Sequence, residues 1–281
     1  MTHLGTLYIV GTPIGNLEDM TFRAIRILQS VGAIAAEDTR HTGKLLQHFQ
    51  ITTPQISYHE HNQQQRIPEL LQRLRMGEDI AVVTDAGMPA IADPGYELIK
   101  ASIAENIPIV PIPGANAAIT AVCAAGLPTD RFIFEGFLPA KGKPRQERLA
   151  VLATETRTMI LYESPHRLKQ TLSDLAEGLG SDRAIVLGRE LTKMHEEFWR
   201  GTVAEAIAHY SKVEPQGEFT LTIAGMSVAP LVLSEEALKT ELEELLKQGL
   251  SRSQASRQLA QLTHLPKRQL YQLALSLPDP D

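Results

Sequence analysis

The first part of the chain alternates short apolar runs with amphipathic stretches. TLYIV (6–10), AIAA (33–36), DIAVV (79–83) and IPIVPI (107–112) have the length and continuous apolar character of strands buried on both faces. Between them, FRAIRILQSV (22–31), TGKLLQHF (42–49), IPELLQRLRM (67–76) and YELIKASIAE (96–105) repeat apolar residues at helical spacing. Such alternation predicts a mostly parallel sheet covered by helices. An Ala-rich helix, GANAAITAVCAAGL, then leads into PTDR, which puts a boundary near residues 114–130. The next stretch mixes elements less regularly. RFIFEGF, TMILYES, RAIVLGREL, EEFWRGTV and GEFTLTIAGM are strand candidates, and RLKQTLSDLAEGL and VAEAIAHYS are helix candidates.

The C-terminal stretch changes character. SEEALKTELEELLKQGL is an amphipathic helix with a serine cap and acids in its first turn. SRSQASRQLAQLTHLPKRQLYQLALSL reads as two further helices. Ser253 can cap the first, Pro266 suits the first turn of the second, and the short THLP turn between them resembles a helix-turn-helix. The pattern therefore predicts two α/β domains, 1–116 and 117–230, and a helical unit over 231–281.

Bulk properties narrow the class. With 281 residues, 43% hydrophobic and 21% charged, the chain has an ordinary globular composition. Its one cysteine, Cys123, can form neither an intrachain disulfide nor a cysteine zinc cage, and no metal is expected. Apolar runs fall short of the ~18 residues of a membrane span, and no basic segment with an apolar stretch opens the chain. A soluble, cytoplasmic protein is the expectation. The net charge of −6 is unevenly spread. Residues 246–278 hold no acid but carry Lys247, Arg252, Arg257, Lys267 and Arg268, a local basic patch on an acidic body.

Candidate chemistry sits where strands end. GTPIGN (11–16), EDTR (37–40), TDAGMPAIADPG (84–95) and PGAN (113–116) each follow a predicted strand. In an open parallel sheet ligands bind beyond the carboxyl ends of the strands. Glycine there lets backbone approach a ligand, and proline fixes loop shape. A dinucleotide reading of Gly11 and Gly15 with Glu37 lacks the third glycine, and Glu18 and Asp19 would repel a pyrophosphate. No Gly-Lys-Ser/Thr follows the glycines. A neutral or cationic ligand bearing a ribose suits these carboxylates better.

The blocks LYIVGTPIGNLEDMTFRAIRIL, AAEDTRHTGKLL, TDAGMPAIADPG, PIPGANAAITA, FEGFLPAKGKPRQERL, LYESPHRL and GRELTKMHEEFWRG together resemble the ribosomal RNA small subunit methyltransferase I family. That family lies within the tetrapyrrole-methylase-like group. The resemblance implies two α/β domains unlike the Rossmann methyltransferases, with S-adenosylmethionine held between them. It also implies a homodimer, and methylation of the 2′-hydroxyl of one cytidine in the decoding region of 16S rRNA. The substrate would be that RNA within the small ribosomal subunit, with no DNA and no membrane involved. Two other readings stay open: a methylase of the same fold acting on a tetrapyrrole or other small molecule, and a non-catalytic RNA-binding protein.

Carried onto this chain, the resemblance implies donor contacts from Asp85, Ala86, Gly87 and Met88. Asp85 would accept from ribose hydroxyls or the α-ammonium group, unless it is a turn cap. Pro13, Gly114, Ala115 and Asn116 would close the pocket, and YES (162–164), with Tyr162, and GEFTLTIAG would form the far wall. Asp93 is expected to cap the following helix. A ribose hydroxyl is a poor nucleophile near neutrality, so a base can assist. Glu163 and His166 share one loop-to-helix turn and are the preferred pair. Glu37, Asp38, Glu190 and His195 are alternatives, although Arg189, Glu190 and Lys193 could instead form an ion-pair network. For RNA, Lys141, Lys143, Arg145 and Arg148 of a Gly/Pro-punctuated loop, and Arg252, Arg257, Lys267 and Arg268 of the tail, are the phosphate candidates.

Overall fold

A computed structural model describes residues 3–227, 233–263 and 265–278. The chain divides into two compact units, Met1–Met226 and Ser227–Asp281. The predicted 230/231 boundary and the last three residues lie outside the described residues, as does His264 of the THLP turn.

The first unit holds two sheets. The first contains β1 (Leu7–Val10), β2 (Ala33–Ala36), β3 (Gln55–Ser57), β4 (Ile80–Val83) and β5 (Ile109–Ile112), in the order β3-β2-β4-β1-β5. Every pairing is parallel. All four residues of β2 and of β4 are buried, as continuous apolar runs in central parallel strands require. β3 escapes the sequence pattern because it is a three-residue, half-buried edge strand paired only with β2. Helices α1 (Phe22–Ser30), α2 (Thr39–His48), α3 (Gln63–Arg75) and α4 (Tyr96–Ala104) connect the strands. Two apolar clusters fill the unit around this sheet. One joins Val10, Ile34 and Val83 to Leu28 and Leu46; the other joins Leu7, Ile80 and Val82 to Leu70 and Leu98.

Local caps set where helices begin. The Thr21 hydroxyl accepts the Ala24 N–H at 3.1 Å, and the Asp38 carboxylate accepts the Arg40 N–H at 2.8 Å. Asn116 caps α5 (Ala117–Ala125) through the Ile119 N–H at 3.0 Å. α5 packs Ala118 and Val122 against Ile160 of the second sheet.

That second sheet contains β6 (Phe132–Phe137), β7 (Thr158–Glu163), β8 (Ala184–Arg189), β9 (Glu197–Thr202) and β10 (Phe219–Ile223), ordered β6-β7-β10-β8-β9. Only β6 and β7 run parallel. Helices α6 (Gly142–Ala153), α7 (Pro165–Leu179) and α8 (Val203–Lys212) accompany it, and its core joins Leu152, Leu168, Leu172 and Tyr210 to Leu161, Leu187 and Leu221. α6 corrects the sequence reading. AKGKPRQER is not a loop: from Gly142 it is helix, and Pro144 is tolerated in its first turn.

The second unit contains α9 (Glu235–Lys247), α10 (Arg252–Thr263) and α11 (Lys267–Leu275) around Leu242, Leu259 and Leu270. Ser234 caps α9 as predicted, through the Ala237 N–H at 3.2 Å. The cap of α10 lies two residues earlier than expected: the Ser251 hydroxyl, not that of Ser253, accepts the Gln254 N–H, and the Gln254 side-chain oxygen accepts the Ser251 N–H at 3.0 Å.

Candidate active site

Because the first sheet is parallel, its glycine- and proline-bearing loops emerge at one edge. Backbone contacts then lock them together. Thr12 and Gly87 exchange two hydrogen bonds, Thr12 N–H to Gly87 O at 2.9 Å and Gly87 N–H to Thr12 O at 3.1 Å. The loops after β1 and β5 touch through Gly11 and Gly114. A Cβ on Gly11 would stand 2.7 Å from the Gly114 Cα, so only glycine permits that approach. The loop after β4 is held in an unusual shape, with Gly87 at φ +81° and the two alanines Ala90 and Ala92 at +69° and +63°. Such backbone persists in an L-residue only when its surroundings enforce it, and functional sites are where it clusters.

These loops form one side of a cavity of about 470 Å³, within the range of small-molecule sites. Ile14, Ala86, Gly87, Met88, Asp93 and Asn116 line that side. Phe137, Tyr162, Glu163, Phe219 and Thr220 of the second sheet line the other, joined by Ser164 at the start of α7 and Leu191 from the β8–β9 connection. Tyr162 is fixed at both ends: its hydroxyl accepts the Ala118 N–H at 3.2 Å, and its ring meets Phe137 edge-on at 5.6 Å between centroids. Burial raises the Tyr162 phenol above its ordinary value.

The electrostatics are acidic. Asp93 does not cap α4; the cap position belongs to Gly95, and no side chain caps the helix. Asp93 instead faces the cavity, and burial, reinforced by the charges of Glu37 and Asp85, pushes its pKa up to about 7. Glu37 is also raised, chiefly by burial, with Asp85 and Asp38 adding like charge. Glu37 and Asp85 tie the ends of β2 and β4 together. The Asp85 N–H donates to the Glu37 carboxylate and the Asp38 N–H to the Asp85 carboxylate, both at 3.2 Å.

The predicted donor contacts separate into groups. Ala86, Gly87, Met88, Asn116 and Tyr162 line the large cavity; Asn116 does so while capping α5. Pro13 and Asp85 line a smaller cavity of about 240 Å³ instead. Neither lining includes Gly114 or Ala115; Gly114 acts through its contact with Gly11.

The predicted bases are also redistributed. Glu163 is buried and committed: it accepts the Thr171 hydroxyl at 2.6 Å and the Ser164 N–H at 2.8 Å, with the Arg167 guanidinium 3.5 Å away. His166 and His195 are exposed and outside both linings. Asp38 is engaged by Arg40, whose hydrogen bonds hold it well below the usual carboxylate range. Burial raises Glu190, but bonds from Lys193 and the Glu218 backbone outweigh it and leave the group below its ordinary value. The Arg189, Glu190 and Lys193 region is an ion-pair network, Arg189 pairing with Glu197 and Lys193 with Glu190 and Glu218.

Among the RNA candidates, Arg145 is corrected outright. It is buried, and its guanidinium donates to Asp174 at 2.7 Å, Thr171 at 2.8 Å and the Pro139 carbonyl at 3.0 Å, leaving it no reach to a phosphate. Arg148 pairs with the buried Glu135. Lys141 and Lys143 are exposed, Lys143 within 3.5 Å of Glu147. Arg252 binds the Ala274 and Leu277 carbonyls at 2.9 and 2.8 Å, closing the end of α11. Arg257, Lys267 and Arg268 are exposed, with Lys267 touching the Ser253 hydroxyl at 3.0 Å. Sequence reasoning missed Phe137, Ala117 and Leu191 as lining residues and assigned Asp93 elsewhere. Ala117 directly follows the predicted Asn116, whereas no local pattern could have found Phe137 and Leu191, since the loops they join are distant in sequence.

Comparison with known proteins agrees with this architecture. Residues 6–207 match the family Tetrapyrrole (Corrin/Porphyrin) Methylases, and residues 233–278 match the RsmI C-terminal HTH domain. The chain is 60% identical over 275 residues to Ribosomal RNA small subunit methyltransferase I of Synechocystis sp., covering 98% of this chain and 99% of that one. It is 47% identical over 273 residues to the protein of that name from Escherichia coli O157:H7, covering 96% and 95%. Among solved structures, a cobalamin biosynthetic enzyme, cobalt precorrin-4 methyltransferase, aligns with TM-score 0.58 at 21% identity, over 78% of this chain and 94% of that one. Uroporphyrin-III C-methyltransferase from Thermus thermophilus, in complex with S-adenosyl homocysteine, aligns with TM-score 0.56 at 20% identity, over 78% and 97%. At those identities the structural likeness shows the fold alone.

Proposed function

The chain belongs to the ribosomal RNA small subunit methyltransferase I family, and on that premise we propose how it acts: S-adenosylmethionine binds in the 470 Å³ cavity, and its methyl group passes to the 2′-hydroxyl of a cytidine in the decoding region of 16S rRNA. The chain is thus an S-adenosylmethionine-dependent methyltransferase. The observation that carries the site assignment is the acidic, apolar-walled cavity shared by the loop edge of the first sheet and the strands of the second.

The residues suit the donor's chemistry. The donor supplies a methyl carbon on a positively charged sulfur, so displacement by a ribose oxygen leaves a neutral thioether and releases one proton. Asp93, with Glu37 and Asp85 behind it, makes the cavity favourable for a cation. Phe137, Tyr162, Ile14 and Met88 offer flat and apolar surface to a heteroaromatic base. The strained 84–95 loop, locked to Thr12, fixes this surface before any ligand arrives, which is where positioning catalysis gains. Glu163 serves as a positioning residue, holding the start of α7 through Ser164, Thr171 and Arg167.

The residues of 1–116 and 117–230 act as the two lobes of this site, and 231–281 as an RNA-contacting appendage. Lys141, Lys143, Arg257, Lys267 and Arg268 supply exposed cations for phosphates. The acceptor is the assembled small subunit in the cytoplasm, and the enzyme works as a homodimer. Exposed apolar side chains of α5 and β6, Ile119 and Phe132, support a second copy there.

Tritiated methyl transfer tests the assignment with isolated small subunits, naked 16S rRNA and a tetrapyrrole precursor as acceptors, alongside calorimetry with the donor. Donor binding and labelling of the subunits is expected. Labelling of the precursor with the subunits left blank would overturn it.

A further inference from the structure

Four titratable side chains line the large cavity among the described residues: Asp93, Tyr162, Glu163 and Glu218. Three of them are committed. Tyr162 accepts the Ala118 N–H, and burial keeps its phenol protonated. Glu163 is occupied by Thr171, Ser164 and Arg167. Glu218 pairs with the Lys193 Nζ at 3.0 Å, on a side chain that is 80% exposed. Asp93 differs. Among the described residues none donates a hydrogen bond to its carboxylate and none forms an ion pair with it. A carboxylate in part withdrawn from water normally finds such partners. The chain also builds a mount for it. The Ala90 N–H donates to the Pro94 carbonyl at 3.0 Å, which closes the loop around Asp93. Ala90 and Ala92 hold positive φ within that loop, and Pro94 fixes the backbone after it. The Asp93 charge acts on the Tyr162 phenol of the opposite wall, while Glu37 and Asp85 act on Asp93 from the ends of β2 and β4. The cations of the neighbourhood are spent elsewhere: His59 acts on Glu37, Arg40 on Asp38 and Asp85, and Lys193 is held by Glu190 and Glu218.

We propose that Asp93 is the general base of the reaction, taking the proton of the acceptor's 2′-hydroxyl as the methyl group is transferred. The proposal rests on the donor and the ribose meeting in this cavity, the function proposed above. The hydroxyl oxygen attacks the methyl carbon, and the carbon–sulfur bond breaks with its electron pair passing to sulfur. The hydroxyl proton passes to the Asp93 carboxylate. The products are a methyl ether, a neutral thioether and a protonated Asp93, which returns its proton to solvent. The environment suits this cycle. Burial and the charges of Glu37 and Asp85 push the Asp93 pKa up to about 7, where a carboxylate is basic enough to pull a proton and still ionised enough to accept one. The arriving sulfonium favours the ionised form, so donor binding readies the base. Loss of the positive charge on sulfur during transfer removes that attraction, and the carboxylate becomes more basic as the proton leaves oxygen. None of the sequence-derived bases meets these conditions: Glu163 is occupied, Asp38 is engaged by Arg40, Glu190 by Lys193, and His166 and His195 lie outside the cavity.

The test is single-turnover methyl transfer by the full-length enzyme to small ribosomal subunits, with S-adenosylmethionine saturating, from about pH 5 to 9. Calorimetry on each variant sets the saturating concentration and Tm reports its folding, so neither binding nor stability enters the rate. The wild-type rate should rise with pH and level off near pH 7. Asp93→Asn should be slower by about 100-fold at pH 7 and should keep rising to pH 9 without levelling, because hydroxide alone then takes the proton. Asp93→Glu, which keeps a carboxylate, should keep the plateau at a reduced rate. An Asp93→Asn rate within threefold of wild type, with only the donor Kd altered, would leave Asp93 as an attractor of the cation and overturn the proposal. A plateau that survives in Asp93→Asn would overturn it as well. Wild type that binds no donor, or binds it and labels no subunit, would overturn the function proposed above and this proposal with it.

Discussion

The Arg145 guanidinium lies 2.7 Å from the Asp174 carboxylate, with both groups largely withdrawn from solvent. The same guanidinium donates to Thr171, whose hydroxyl in turn donates to Glu163 at the cavity wall. A cation that composition marks as an RNA contact is thus the hub of a network that braces α6 and α7. Arg145→Ala should cost about 3 kcal/mol of stability, since it removes the charge partner of the largely withdrawn Asp174 and leaves it only the Gln170 amide. Denaturant unfolding reads that loss. Removing Lys141 and Lys143 together should leave stability within ~0.5 kcal/mol and flatten the salt dependence of RNA binding. An Arg145→Ala protein of wild-type stability would return Arg145 to the RNA surface.

Asp93 sets a pH dependence. Its pKa is raised from 3.8 to about 7 in the folded chain, so the native state keeps a proton that the unfolded chain has lost in that window. Stability contributed by this group is therefore present at low pH and lost as pH rises toward 7. Asp93→Asn should be more stable than wild type at pH 8, by ~1 kcal/mol once solvent screening is allowed for, and the two should converge near pH 4. Donor binding runs the other way: a cation favours the ionised form, so affinity should climb from pH 6 to 8 in wild type and stay flat in Asp93→Asn. Calorimetry across that range reads both slopes.

Glu163 is predicted to hold structure rather than move a proton. Its carboxylate is occupied by Thr171, Ser164 and Arg167. Glu163→Gln should lower stability by about 1–3 kcal/mol and lower kcat without shifting the pH profile of kcat. An acidic limb that disappears in this variant would make Glu163 the base after all.

Gly11→Ala tests the loop lock. The new Cβ would meet backbone, the Gly114 Cα at 2.7 Å, as well as the Met88 sulfur at 2.6 Å. Backbone cannot swing aside as a side chain can, so a loss of about 1–3 kcal/mol is expected. Donor affinity should fall with it, because Met88 lines the cavity. Gly43→Ala, where the nearest atom is 3.5 Å away, is the matched control: it should leave donor affinity unchanged and stability level or up to ~1 kcal/mol higher, because alanine favours the interior of α2.

The second unit carries its own core around Leu242, Leu259 and Leu270. Deleting residues 228–281 should leave the remainder folded and donor affinity within twofold, while RNA affinity and its salt slope both drop. An unaltered slope would assign Arg257, Lys267 and Arg268 to packing or solvent.

The sequence by itself determined most of the elements and the edge, with the short edge strand β3 and the start of α6 as the exceptions. Continuous apolar runs made β2 and β4 central parallel strands, and the glycine and proline residues after β1, β4 and β5 marked where a ligand would meet them. The motif blocks carried the family, because many short matches in one order are specific even when each alone is a common turn. What it could not determine was the partner of any charged side chain. Arg145, Glu163, Asp85 and Asp93 read alike as polar residues near loops, and only their surroundings separate them. Arg145 and Glu163 are joined through Thr171, Asp85 faces one cavity and Asp93 the other. Local pattern fixes which backbone conformation is cheap and which face is buried. The energy of a charge depends on burial and on groups brought near from elsewhere in the chain, and those distances exist only once the sheets have packed.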